Sequence, residues 1–213
     1  MDETTSREKV LKKLRHALLY KMPNPVKQLD RESPIYADLR EDLDINFAQE
    51  FTQGGGIFLY CENETDLETA IKSLYETRQW SNVHCQDASL QYTLTQAGVP
   101  FESNPSTVAD MQIGITHCEY LVSRTGSILV SSANGRKMVS LPHTLVVVAY
   151  THQLIYDIED ALQAISLKYG NDLPSMLTFI TGPARTFSVE QREVNAGVAV
   201  RELFLILIDS SEI

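Results

Sequence analysis

An α/β fold, with a mainly parallel sheet, helices on both faces and an antiparallel hairpin excursion, is predicted by three features of this 213-residue chain. Segments of strand character alternate with segments of helical periodicity from residue 45 onward. Leu145-Val-Val-Val-Ala149 is an unbroken, mostly β-branched run of the kind buried on both faces of a parallel sheet. Asn134-Gly135, lying between apolar runs, is a strong hairpin signal, with Arg136 and Lys137 at the tip and Met138 to Leu141 returning as a strand.

Each element has a local reason. From residue 5 to 20, Val10, Leu11, Leu14, Ala17 and Leu18 form one helical stripe, ringed by Arg7, Lys9, Lys12, Lys13 and Arg15. Such a stripe must be covered, by the chain's own domain, by a partner such as a second copy in a homodimer, or, through its basic face, by a membrane surface. Pro23, Pro25 and Pro34, with acidic residues around Glu41-Asp42, predict a wrapping linker. The division is therefore an N-terminal helix and linker over 1–44 and an α/β domain over 45–213. Within that domain, Ile45 to Phe51 is a short helix stopped by Gly54-Gly-Gly56, and Ile57 to Tyr60 is the first strand. Those glycines precede their strand, so they are not a phosphate loop, which follows one. Thr65, with Glu68 three residues on, predicts a capping box for a helix over Asp66 to Arg78. Val83 to Cys85 is a short strand, Asp87 caps a helix from Ala88 to Ala97, and residues 109–116 lead into a further strand. Glu119 to Val130 reads as two short apolar runs around Ser-Arg-Thr-Gly-Ser. Leu154 to Tyr169 has helical spacing, with Gly170-Asn171 as its stop.

The candidate binding residues lie at two breaks. Leu177 to Ile180 is a strand that stops at Thr181-Gly182-Pro183, because proline has no N–H with which to continue a ladder. Thr181, Gly182, Arg185 and Thr186 stand at that strand's carboxyl end, where open α/β sheets form ligand crevices. Arg124, Thr125, Gly126 and Ser127 form the other break. Arginine forks suit carboxylate or phosphate oxygens, and hydroxyls with glycine N–H groups complete an anion cradle. Two plainer readings stand beside this one. Arg185 could pair with Glu190 or Glu193, and Thr125-Gly126-Ser127 could serve tight strand packing alone. His143, just past Pro142, is the candidate acid or base. No Gly-x-Ser-x-Gly elbow is present, and nothing in the sequence places Asp110 and Glu119 as a catalytic pair.

Composition excludes several classes. A net charge of −10 argues against a nucleic-acid partner, and no run of about 18 apolar residues predicts a membrane span. The start Met-Asp-Glu-Thr-Thr-Ser lacks the organisation of an export signal, which predicts a cytoplasmic protein. Cys61, Cys85 and Cys118 are odd in number and widely spaced, so neither a disulfide framework nor a metal or iron–sulfur site is predicted. His84-Cys85 and His117-Cys118 are adjacent pairs, and neighbours on a strand point to opposite faces. No cofactor is expected.

In Gly114-Ile-Thr116, Thr125-Gly-Ser127, Leu141-Pro-His143 with the valine strand after it, Ile180-Thr-Gly-Pro-Ala-Arg-Thr186 with Glu190, and Arg201 to Asp209, the sequence resembles the LUD-domain family of the lactate-utilisation protein C type. The resemblance covers roughly residues 45 to 209. It implies the fold shared by the NagB, RpiA and CoA-transferase group. It also implies an accessory role in oxidising L-lactate to pyruvate beside iron–sulfur subunits, with a small anionic metabolite as ligand. Alternatives within that fold are a transferase or isomerase acting on a CoA thioester or sugar phosphate, and a non-catalytic scaffold or regulator, so whether the chain is an enzyme stays open. Two departures mark a divergent member. Arg124 stands where similar proteins carry an acidic residue, and Gly197-Val-Ala-Val-Arg201 replaces their Gly-Val-His-Gly-Pro segment.

Overall fold

A computed structural model describes residues 5–19, 42–103, 111–135, 142–184 and 200–210. The chain divides into two compact units, Met1–Asp38 and Leu39–Ile213. In the first, α1 (Ser6–Leu19) begins where Thr5 Oγ1 accepts the Glu8 N–H and Glu8 returns a bond to the Thr5 N–H. Val10, Leu11, Leu14 and Leu19 are exposed on it.

The second unit contains α2 (Leu43–Gln53), β1 (Ile57–Cys61), α3 (Glu64–Thr77), β2 (Val83–Cys85), α4 (Ala88–Gln96), β3 (Ile113–His117), β4 (Tyr120–Val122), β5 (Ser127–Ser131), β6 (Thr144–Tyr150), β7 (Leu154–Ile155), α5 (Ile158–Tyr169), β8 (Leu177–Ile180) and β9 (Glu202–Ile208). Five of the strands form a wholly parallel sheet in the order β1-β9-β6-β3-β2. The other four form a mixed sheet in the order β7-β4-β5-β8. The α/β class expected from the alternation is therefore present.

The two-residue period of the central strands sorts the layers. Val146 and Val148 of β6, with Phe204 and Ile206 of β9, face Leu67 and Ile71 of α3 and Leu90 and Leu94 of α4. Leu145, Val147, Leu203, Leu205 and Leu207 face the opposite way, toward Phe47 and Phe51 of α2 and Leu121, Ile128 and Val130 of the mixed sheet. The mixed sheet turns its outer side, Val122 and Leu129, to Ala161 and Ile165 of α5. The layers thus run from α3 and α4, through the parallel sheet, to α2 and the mixed sheet, and then to α5.

Three local expectations are corrected. The antiparallel excursion occurs one segment earlier than Asn134-Gly135: β4 and β5 pair antiparallel around Ser123–Gly126, where Gly126 supplies a φ of 59°. After β5, Ser131 accepts the Ala133 N–H and starts a short 3₁₀ turn; the expected return strand Met138 to Leu141 lies outside the described residues. The helix predicted from Leu154 begins only at Ile158, because Leu154 and Ile155 pair beside β4 and Asp157 caps α5. The cap of α3 is Asn63, whose side chain accepts the Asp66 N–H at 3.0 Å, two residues before Thr65. Asn63→Ala should destabilise the fold by about 1 kcal/mol, read as a lower urea midpoint at unchanged slope; no change would move the cap elsewhere.

Candidate functional site

Glycine contacts define where the two sequence-predicted breaks meet. A Cβ on Gly182 (φ 148°) would lie 2.6 Å from the Gly54 carbonyl oxygen, and one on Gly54 would lie 2.7 Å from the Thr181 oxygen. The β8 exit therefore runs against the backbone that leads from α2 into β1. Gly126 packs on the end of α2 in the same way, against the backbone of Glu50 and Phe51. These approaches bring Ser127 Oγ to 2.8 Å from Thr181 Oγ1, and Thr125 Oγ1 lies 2.8 Å from Ser127 Oγ. Ser127, the middle of the three, is buried, Thr125 is half-buried and Thr181 is exposed, so the chain of hydroxyls reaches the surface at Thr181.

Arg124 is placed differently. Its Nη2 donates to Asp157 Oδ1 at 2.7 Å, and its backbone N–H donates to the Tyr156 carbonyl, tying the turn to the start of α5. Hydrogen bonding from Arg124, against a smaller burial effect, holds the Asp157 carboxyl below its usual range. Arg185 and Thr186 lie outside the described residues. Because β8 edges the mixed sheet, its carboxyl end reaches the side on which β1 and β9 begin; the Ala184 N–H donates to Val200 O at 2.8 Å, just before β9. His143 stands on that amino-end side too. Its carbonyl accepts the Arg201 and Glu202 N–H groups, and it lines a cleft of about 280 Å³ with Arg78, Trp80, Ser81, Gln112 and Glu202.

The carboxyl ends of the parallel strands converge on a second set of side chains, of which the sequence marks Asp87 only as a helix cap and His117 only as the neighbour of Cys118. The chain leaves β2 toward the α3/α4 face and leaves β3 toward the mixed sheet, so a crevice opens between their ends, the position where open α/β sheets bind ligands. A cleft of about 350 Å³ lies there, lined by residues that include Glu64, Leu67, Ser89, Tyr92, His117 and Tyr150. Asp87 caps α4 by accepting the Ser89 and Leu90 N–H groups, and this places Ser89 beside the end of β3. Ser89 Oγ lies 2.5 Å from Asp87 Oδ1 and 3.2 Å from His117 Nε2. His117 Nδ1 lies 3.1 Å from the Val148 carbonyl, an acceptor only, so Nδ1 carries the hydrogen. His117 stacks on Tyr150 and Tyr150 on His152, with ring centroids 5.9 and 5.6 Å apart.

Electrostatics divide the crevice. Burial raises the Asp87 pKa, but the Ser89 hydroxyl, His117 and the α4 N–H groups outweigh it and keep the carboxyl below its ordinary value. Burial, with the hydrogen bond to Glu64 at 2.9 Å, pushes the Tyr150 phenol up to about 12, so it donates at neutral pH. Burial likewise raises the Cys85 thiol to about 12, and Cys118 is shifted in the same direction. His117 and Cys118 do turn to opposite sides: the imidazole reaches α4, while the thiol joins the core shared with the mixed sheet. Among the described residues, no group of three or more His, Cys, Asp or Glu could hold a metal ion. No helix among them is long and apolar enough to cross a membrane.

A parallel sheet backed by a mixed sheet, with a polar crevice at its carboxyl edge and a hydroxyl cluster at the opposite edge, defines a layered α/β domain. The LUD domain family matches residues 46–208, and the chain belongs to that family. Over 103 residues it is 28% identical to lactate utilization protein C of Halalkalibacterium halodurans, a stretch covering 46% of this chain and 44% of that protein. The match thus spans less than half the length of that relative. The fold is similar to the crystal structure of a DUF162 family protein from Deinococcus radiodurans, with a TM-score of 0.59 at 16% identity, over 78% of this chain and 96% of that one.

Proposed function

We propose that this chain is an accessory protein of lactate utilisation, serving the oxidation of L-lactate to pyruvate beside iron–sulfur partner subunits in the cytoplasm. The similarity to lactate utilization protein C supports the process. The contact of Ser127 with Thr181, 54 positions apart, supports a binding site within it. A hydroxyl chain can pass its donors outward, so that the exposed Thr181 offers an O–H to a carboxylate or another small anion. Arg185 and Thr186, assigned from their place in the sequence, supply the charge and a further hydroxyl. The exposed stripe of α1 is the surface we assign to association with partner subunits or a second copy.

Growth on L-lactate as sole carbon source tests this reading. Deleting the gene should abolish growth, the wild-type chain should restore it, and Arg185→Ala or the double variant Ser127→Ala/Thr181→Val should not. With purified chain, L-lactate or pyruvate at about 100 times its Kd should add about 2.7 kcal/mol of stability. Unaltered growth after deletion, or full rescue by both variants, would sink it.

A further inference from the structure

The crevice at the carboxyl edge of the parallel sheet is separate from the hydroxyl cluster, and its geometry carries a different chemistry. We propose that Ser89 and His117 form a nucleophile–base pair that transfers the acyl group of a small uncharged ester or thioester to water. Three observations converge. Ser89 Oγ lies within hydrogen-bond reach of His117 Nε2, at 3.2 Å. The Val148 carbonyl holds the hydrogen on Nδ1, so the neutral imidazole presents its lone pair at Nε2, toward the serine. Asp87 Oδ1, 3.9 Å from Nε2, faces the imidazole and favours the cation that forms when Nε2 takes the serine proton.

The lining selects the substrate class. Leu67, Leu90 and Tyr92 form an apolar wall for a short acyl chain, while Glu64 and Glu68 repel an anionic one. The cleft's volume of about 350 Å³ limits the ligand to a small molecule. At rest the Ser89 hydroxyl points to Asp87 Oδ1, the nearer acceptor, and must swing to Nε2 for reaction. Ser89 Oγ then attacks the carbonyl carbon while Nε2 takes the hydroxyl proton. The bond from carbonyl carbon to leaving oxygen or sulfur breaks, and Nε2 passes its proton to that atom, releasing an alcohol or thiol and leaving an ester on Ser89. Water attacks this ester as Nε2 takes the water's proton and returns it to Ser89 Oγ. The sum is ester plus water giving acid plus alcohol, or thiol in the thioester case.

The full chain, treated with a fluorophosphonate probe and analysed by intact mass and peptide mapping, tests the pair independently of growth on lactate. The label should map to Ser89 and disappear in Ser89→Ala. Labelling, and the hydrolysis of p-nitrophenyl acetate, should slow on the order of 100-fold in His117→Gln. Ser81→Ala, in the cleft at the opposite edge, should match the wild type, and melting temperatures confirm that each variant is folded. An unlabelled wild type, a label on another residue, or a folded His117→Gln as fast as the wild type would overturn the proposal.

Discussion

Gly126→Ala should lower the unfolding free energy by about 3–4 kcal/mol, the combined cost of a left-handed backbone and of overpacking. Gly126 has φ 59°, which an L side chain rarely adopts, and its added Cβ would lie 2.6 Å from the Glu50 carbonyl carbon and 2.8 Å from Phe51 Cα. Backbone cannot rotate away as a side-chain tip can. The turn is anchored on α2 elsewhere too, since Asn46 Nδ2 donates to the Ser123 carbonyl at 2.8 Å and the Ser123 hydroxyl donates to the Leu43 carbonyl. Gly98→Ala is the internal comparison. Its φ is 70°, yet nothing lies within 4 Å of the added Cβ, so only the conformational cost of about 1–2 kcal/mol applies. Urea unfolding of both variants separates the terms, and equal losses would show that the turn is not pressed against α2.

Glu119→Ala should cost about 2–3 kcal/mol, because it leaves the Ser131 and Tyr169 hydroxyls without their acceptor, while the half-exposed Lys168 ammonium turns to solvent. Glu119 Oε1 accepts from Ser131 Oγ at 2.5 Å and from Tyr169 O–H at 2.7 Å, while Oε2 accepts from Lys168 Nζ at 2.7 Å. The network joins β4 and β5 to the end of α5, so its loss should loosen the layer that α5 forms over the mixed sheet. Burial raises the Glu119 pKa, but these donors prevail and lower it. A carboxyl with a depressed folded pKa contributes stability above its unfolded pKa of about 4.3 and loses it as pH falls through the folded value. Lys168 shifts upward, held by Glu119 against desolvation, so its share is present below its unfolded pKa and lost as pH rises through the folded one. Glu119→Gln should therefore be less stable than the wild type at pH 7, with a gap that narrows toward pH 3. Parallel unfolding curves across that range would refute the assignment.

Most strands were legible because burial leaves a local signature. Leu145 to Ala149 reads as a strand with both faces covered, and every one of those side chains is buried. Asp87 and Gly170 likewise marked a helix start and stop by their own chemistry. Leu154 and Ile155 misled because two apolar residues before a helix fit its periodicity as well as they fit a short strand, and only the presence of β4 beside them decides. The site was less legible. Ser127 and Thr181 were singled out and do meet, but the side of the molecule on which they meet followed from β8 joining the mixed sheet. Ser89, His117 and Tyr150 carried no motif: Ser89 lay within a helix cap, and His117 looked incidental beside Cys118.

By itself the sequence determined the α/β class, the identity of nearly every buried strand and the likeness to LUD-domain proteins, since each depends on periodicity or on residues close in the chain. Tertiary structure alone decided that the nine strands among the described residues form two sheets, that Arg124 faces Asp157, and that Ser89 reaches His117. The physical reason is that hydrophobic alternation specifies which face of a strand is buried but not what covers it. That choice is made by packing between segments far apart in the chain, and it sets which edges, and therefore which side chains, converge.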